Sequence, residues 1–194
     1  MAKGDMTRDA IINAFMELME EKSFTEITIS NITEKCGLNR LTFYYHFQDK
    51  YDLLNQVYDL LIMFPFQQGL AFDNWTLHLC DALTTVKAHK KFSMNAMEHD
   101  NGELSDHIRA IISQLFRDII DDMTPGNEMN EEDKKFLADF FSYGVVGTIN
   151  DWAKSGMVGE PEQLVNRIAH TINDGRRIAV ERYLAGDLFH VTEI

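Results

Sequence analysis

Along almost the whole chain apolar positions recur at three- and four-residue steps, the spacing of one face of an α-helix, and no alternating run competes. Thr7 is a suitable N-cap, and Ile11, Ile12, Phe15, Leu18 and Met19 after it predict a first helix over about 7–22. The stretch SFTEIT breaks the period. Thr28 or Ser30 can cap a short second helix through Ile29, Ile32 and Cys36, which Gly37 ends by supplying a left-handed or tight turn. Asn39 caps a third helix to about His46, with Phe43 and Phe47 on its inward side, and Asp49 caps a fourth. In that fourth helix Leu53, Val57, Leu60 and Phe64 form one stripe and Leu54, Tyr58 and Leu61 another, until Pro65 interrupts the hydrogen-bond ladder.

Four more helical patterns follow: Trp75 to Val86, Leu104 to Ile119, 131–154 and 161–184, with a brief, irregular helix within 91–104. Pro125, Gly126 and Asn127 mark a loop over 122–133; Gly156, Gly159 and a first-turn Pro161 mark another over 155–164. The expected fold is all-α: a three-helix helix-turn-helix head over 1–48 and a helical bundle body over 49–194. The 131–154 helix is apolar around most of its circumference, so it wants partners on two faces. Gly144 and Gly147 permit close backbone approach, and the last helix carries a matching stripe. A symmetric four-helix interface between two chains, through Phe140, Phe141, Gly144, Gly147, Trp152, Ile168 and Ile172, explains this economically; a single monomeric core is the other reading.

The segment LNRLTFYYHFQDKYDLL, residues 38–54, gathers hydrogen-bonding and aromatic side chains that neither a core helix nor a solvated face requires. A short helix, a glycine turn and a second helix opening on a polar cap have the dimensions of a helix-turn-helix DNA reader. Arg40 can pair bidentately with guanine, Thr42 can meet a thymine methyl or a phosphate, and Tyr44, Tyr45 and His46 offer phosphate donors without fixed charge. Lys50 adds a cation at a helix start. Tyr44 has a second reading as a packing residue, whereas Tyr45 and His46 face outward because Phe43 and Phe47 take the inward side.

The bulk charge of −13 over 194 residues argues against broad attraction to nucleic acid or anionic membrane, so any such contact must be local. Residues 1–60 hold six Lys or Arg against ten Asp or Glu, a balance of −4. Neutral donors would let such an acidic head bind DNA. No apolar run is long enough to span a bilayer, no signal peptide is expected, and Cys36 and Cys80 read as small buried hydrophobes in a reducing, cytoplasmic setting.

The stretch TISNITEKCGLNRLTFYYHFQDKYDLL, residues 28–54, resembles the DNA-binding head of the tetracycline-repressor (TetR) family, through the Thr28 start, the Gly37 turn, the T-F-Y-Y-H-F run at 42–47 and Lys50 with Leu53 and Leu54 behind it. The resemblance implies a homodimer whose two heads engage adjacent major grooves of a palindromic operator, and whose body responds to a small ligand or partner. The expected DNA contacts are Thr28, Asn39, Arg40, Leu41, Thr42, Tyr44, Tyr45, His46 and Lys50. Leu41 stands where many family members carry a small residue, often glycine; it either contacts a thymine methyl or weakens binding. The segment FLADFFSYGVVGTINDWAKSGM, residues 136–157, is similar to a narrower subset that includes the dihydroxyacetone-kinase operon activator, in which a partner protein can do the sensing. A regulatory adaptor acting mainly through a protein partner is therefore the alternative function.

Met63, Phe66, Trp75, Met94, Met97, Phe116 and Tyr143 either line a ligand pocket in the body or fill its core. No nucleophile–base arrangement, phosphate-cradling glycine loop or paired carboxylate stands out, so neither enzymatic activity nor a cofactor is expected. His78, His89, His99 and His107 lack ligand spacing, and no metal is expected.

Overall fold

A computed structural model of the chain describes residues 3–71, 73–99, 102–123 and 129–186. The described secondary structure is helical throughout: α1 (Lys3–Glu21), a 3-10 turn (Phe24–Glu26), α2 (Ile29–Lys35), α3 (Arg40–His46), α4 (Lys50–Tyr58), a π-helical turn (Asp59–Met63), α5 (Phe64–Gln67), α6 (Trp75–Ala88), α7 (Lys90–Met97), α8 (Glu103–Met123), α9 (Glu131–Lys154) and α10 (Pro161–Leu184). The first helix begins a turn before Thr7, which lies inside it. The turn expected at Pro125, Gly126 and Asn127 lies outside the described residues.

Pro65 does not end the fourth helix. The Phe64 N–H bonds to the Asp59 carbonyl, one residue further back than in an α-helix, and a helical turn continues through Gln67. A widened turn accommodates the proline, which lacks an N–H and would crowd the carbonyl four residues before it. The inserted register moves the buried stripe from Leu53 and Val57 to Ile62, Met63 and Phe66, leaving Leu60 and Phe64 outward.

The chain divides into two compact units, 1–68 with 82–100, and 69–81 with 101–194. The first extends past residue 48, where the sequence suggested a boundary, because α4 and α7 share its core. Phe15 is fully buried and meets Phe24 and Phe92 edge-on at 6.2 and 6.4 Å, while Tyr58 packs on Phe92 at 5.8 Å. Each such ring removed from water contributes roughly 1.5–3 kcal/mol. Asn95 of α7 joins the end of α1 to the 3-10 turn: its Nδ2 donates to the carbonyls of Met19 (3.2 Å) and Lys22 (2.7 Å), and its Oδ1 accepts from Phe24 N–H (2.8 Å).

In the second unit Ile112, Phe116 and Ile119 of α8 pack against Ala138, Val145 and Val146 of α9 and Ile168 and Ile172 of α10. Gly175 of α10 lets this packing close up, since a Cβ there would sit 3.1 Å from the Phe141 ring. Lys134, 7% exposed, is held by Asp121 (2.6 Å) and Glu131 (2.9 Å). Asp139 accepts from the Lys135 ammonium and from Ser113 Oγ (2.8 Å). The Lys135 bond first, then Ser113, holds its carboxyl below the usual 3.8. A depressed folded-state value stabilises the fold above the unfolded value, and that contribution is lost as pH falls through the folded one. Asp139→Asn is therefore expected to lose less thermal stability than the unaltered protein between about pH 5 and pH 3, as calorimetry would record.

Candidate nucleic-acid interface

Local capping chemistry builds the helix pair. Thr28 Oγ1 accepts the Asn31 N–H (3.1 Å) and donates to Asn31 Oδ1 (2.8 Å), opening α2. Gly37 takes φ 68°, the left-handed conformation for which a side chain would be strained, and the Leu38 N–H returns to the Thr33 carbonyl at 2.9 Å. Asn39 Oδ1 then accepts both the backbone N–H (2.8 Å) and the hydroxyl (3.0 Å) of Thr42, opening α3. Phe43 and Phe47 are sealed inside, their rings 5.7 Å apart, which fixes the opposite face outward.

That outward face carries Arg40, Leu41 (82% exposed), Tyr44 (50%) and Tyr45 (84%). Tyr44 leans edge-on against Phe43 at 5.6 Å and Tyr45 against His46 at 5.0 Å, so the aromatic groups are braced while one side of each stays open. Thr42 and His46 are half-buried. Thr28, Asn39 and Thr42 spend much of their hydrogen-bonding capacity on the caps themselves.

Lys50 departs from the expected phosphate contact. Its ammonium donates to the carbonyls of Phe24 (2.8 Å), Ile27 (3.0 Å) and Thr25 (3.4 Å) and lies 4.5 Å from the Phe24 ring centroid. Three acceptors match its three N–H donors, and withdrawal from water pushes its pKa down from 10.5. Lys35 is likewise engaged, by Glu17 and Glu21 at 3.1 Å each, and Arg8 donates to Gln56 at 2.9 Å. Arg40 has no such partner among the described residues. Lys50→Gln is thus expected to cost about 1–2 kcal/mol of stability. It should leave the salt slope of any DNA binding unchanged, whereas loss of one phosphate contact would reduce that slope by about 0.9.

In the second unit an open groove of about 640 Å³ runs between α9 and α10, lined by Phe140, Phe141, Tyr143, Gly144, Val145, Thr148, Leu164, Arg167, Ile168, Thr171 and Ile172. Of the residues expected at a dimer interface, Phe140, Gly144 and Gly147 are exposed, and a Cβ on either glycine would meet nothing within 4 Å. Phe141 is half-buried, and Ile168 and Ile172 belong to this chain's own core while forming the groove floor. Trp152 is buried instead, its Nε1 donating to the Val158 carbonyl at 3.0 Å. Phe136, 57% exposed and one turn before Phe140, joins the exposed stripe; the four-residue spacing is its sequence signal.

The seven residues considered for a ligand pocket divide between the units: Met63, Phe66, Met94 and Met97 fall in the first, Trp75, Phe116 and Tyr143 in the second. Phe116 and Trp75 pack into the α8–α9–α10 core, and only Tyr143 of the seven lines the groove. Cys36 and Cys80 are half-buried thiols that form no disulfide. No described helix is long and apolar enough to cross a membrane.

A helix-turn-helix pair followed by a helical C-terminal region defines a class of transcriptional regulator. Residues 11–57 match the model of bacterial regulatory proteins of the tetR family, and residues 73–174, more than half the chain, match a transcriptional regulator C-terminal region. The chain belongs to the TetR family of bacterial regulatory proteins.

The dihydroxyacetone kinase operon activator DhaS shares the fold at a TM-score of 0.71 and 17% identity, over 89% of this chain and 97% of that one. NalD, the secondary repressor of the MexAB-OprM multidrug efflux pump in Pseudomonas aeruginosa, does so at 0.58 and 18%, over 90% and 97%. By sequence, the dhaKLM operon transcriptional activator DhaS of Lactococcus lactis is 32% identical over 59 residues, 30% of this chain and 32% of that protein. EthR of Mycolicibacterium smegmatis is 36% identical over 71 residues, 37% and 31%. The chain spans about a third or less of the length of the curated relatives it matches.

Proposed function

We propose that the protein binds a palindromic operator as a homodimer, each head laying α3 in a major groove, and so regulates transcription. One observation carries the reading: the outer face of α3 holds an unpaired arginine and two exposed tyrosines over a sealed Phe43–Phe47 base. Side chains of this kind reach base edges and phosphates, and their arginine and phenol groups stay open to solvent although Tyr44 and Tyr45 rest edge-on against Phe43 and His46. Arg40 is assigned to a base edge. Tyr44, Tyr45 and His46, with the Asn39 amide and the Thr28 and Thr42 hydroxyls, are assigned to the backbone or neighbouring bases.

The dimer rests on the exposed Phe136, Phe140 and Tyr143 stripe with its open glycines, an apolar surface that one chain leaves wet. The similar proteins include an activator and a repressor, and the reading applies to either sign. The test is selection of duplexes from a random pool by the purified protein, followed by fluorescence anisotropy on the enriched sequence across a salt series. A palindrome bound far more tightly than scrambled duplex, with a shallow salt slope from few cations, is the expected result; equal binding to both rejects it.

A further inference from the structure

Leu41 and Tyr45 are the two most exposed large apolar side chains among the described residues, at 82% and 84%. They stand four positions apart on α3, so they lie one above the other on a single face. Phe43 and Phe47 fill the inward side, which leaves the Leu41–Tyr45 ridge open to solvent but for the His46 ring edge against Tyr45. An apolar ridge at the leading end of a recognition helix, flanked by Arg40, is an expensive thing to leave in water.

We infer that Leu41, with Tyr45 beside it, selects operator half-sites by packing against a thymine C5-methyl group; this rests on the DNA-reading assignment above and names its specificity. The thymine methyl is the apolar group that base pairs present in the major groove. Against guanine the same leucine would desolvate N7 and O6 without replacing their hydrogen bonds, and against cytosine it would strand the N4 amine. The cations nearby do not take over this contact: the ammonium of Lys50 is held by three carbonyls and that of Lys35 by two carboxylates, and the exposed Arg40 is assigned to a base edge of its own. Discrimination at the Leu41 position is therefore apolar, and it falls on a thymine.

Deoxyuridine lacks only the C5-methyl, so it isolates this contact. The probe is the palindrome selected by the wild-type protein, resynthesised with deoxyuridine in place of thymidine at one symmetry-related pair of positions at a time. One methyl is worth about fourfold in affinity, so a pair should weaken binding by about fifteenfold at the Leu41 position. Leu41→Ala, read at lower salt where needed, should bind the thymidine duplex correspondingly more weakly and show no thymidine preference there. Its helicity should be unchanged, since Leu41 packs on nothing.

Wild-type affinities within twofold for thymidine and deoxyuridine at every position overturn the inference, as does a Leu41→Ala variant that keeps the full deoxyuridine penalty. If no duplex is enriched from the pool at all, the DNA-reading assignment itself fails and takes the inference with it.

Discussion

The double variant Arg40→Ala, Tyr45→Ala is expected to lose specific operator affinity by about 100-fold or more while keeping its helical content. Each bidentate arginine–guanine pair discriminates by about 1–3 kcal/mol, and a symmetric dimer loses two of them together with two tyrosine contacts. The fold should not notice. Arg40 is exposed without a partner, and Tyr45, 84% exposed, touches chiefly the His46 ring edge. Surface changes of this kind stay within about 0.5 kcal/mol. Anisotropy on the selected duplex, with circular dichroism as the control, decides the matter; retained affinity would mean that α3 is not the reading helix.

Phe140→Glu should convert the proposed dimer to monomer and weaken the proposed operator binding with it. Phe136 and Phe140 stack at 6.4 Å and are 57% and 64% exposed, with Tyr143, 60% exposed, three residues further along the same helix. Around a twofold axis each ring counts twice, and burying one contributes roughly 1.5–3 kcal/mol. The substitution removes two rings and brings like charges toward each other in a chain that already carries −13. A rise in the dimer dissociation constant of about 100-fold or more is expected by sedimentation. A variant that sediments as the unaltered protein does would show that this stripe is not the interface.

Much of the site could be read without coordinates. The caps at Thr28, Asn39 and Asp49 are local: an oxygen two or three residues from the N–H it accepts needs no distant partner. The outward set on α3 followed from the burial of Phe43 and Phe47, since a helix that commits one side to the core must show the other. The last two helices, α9 over Glu131–Lys154 and α10 over Pro161–Leu184, occupy the spans that periodicity and turn residues indicated.

Contacts between segments far apart in the chain were not legible. Lys50 looked like a cation for phosphate, but the 3-10 turn some 25 residues earlier and Ile27 just after it present three carbonyls to it. Asn95 passed as one polar residue in an irregular stretch, and nothing near it announces that it ties together backbone more than 70 positions away. Trp152 shared the apolar face of its helix with the interface residues, yet a loop six residues on accepts its indole N–H and draws it inward. Pro65 implied a break, and the chain answered with a widened turn.

From the sequence alone came the all-helical class, the helix-turn-helix pair and the face of α3 that meets the outside, because each depends on interactions within a few residues of one another. Which cations remain free, which aromatics stay wet and where α4 changes its buried stripe were decided only by the tertiary structure. A side chain's hydrogen-bond partners and solvent are properties of what the fold brings beside it, and neighbouring residues in the chain do not specify them.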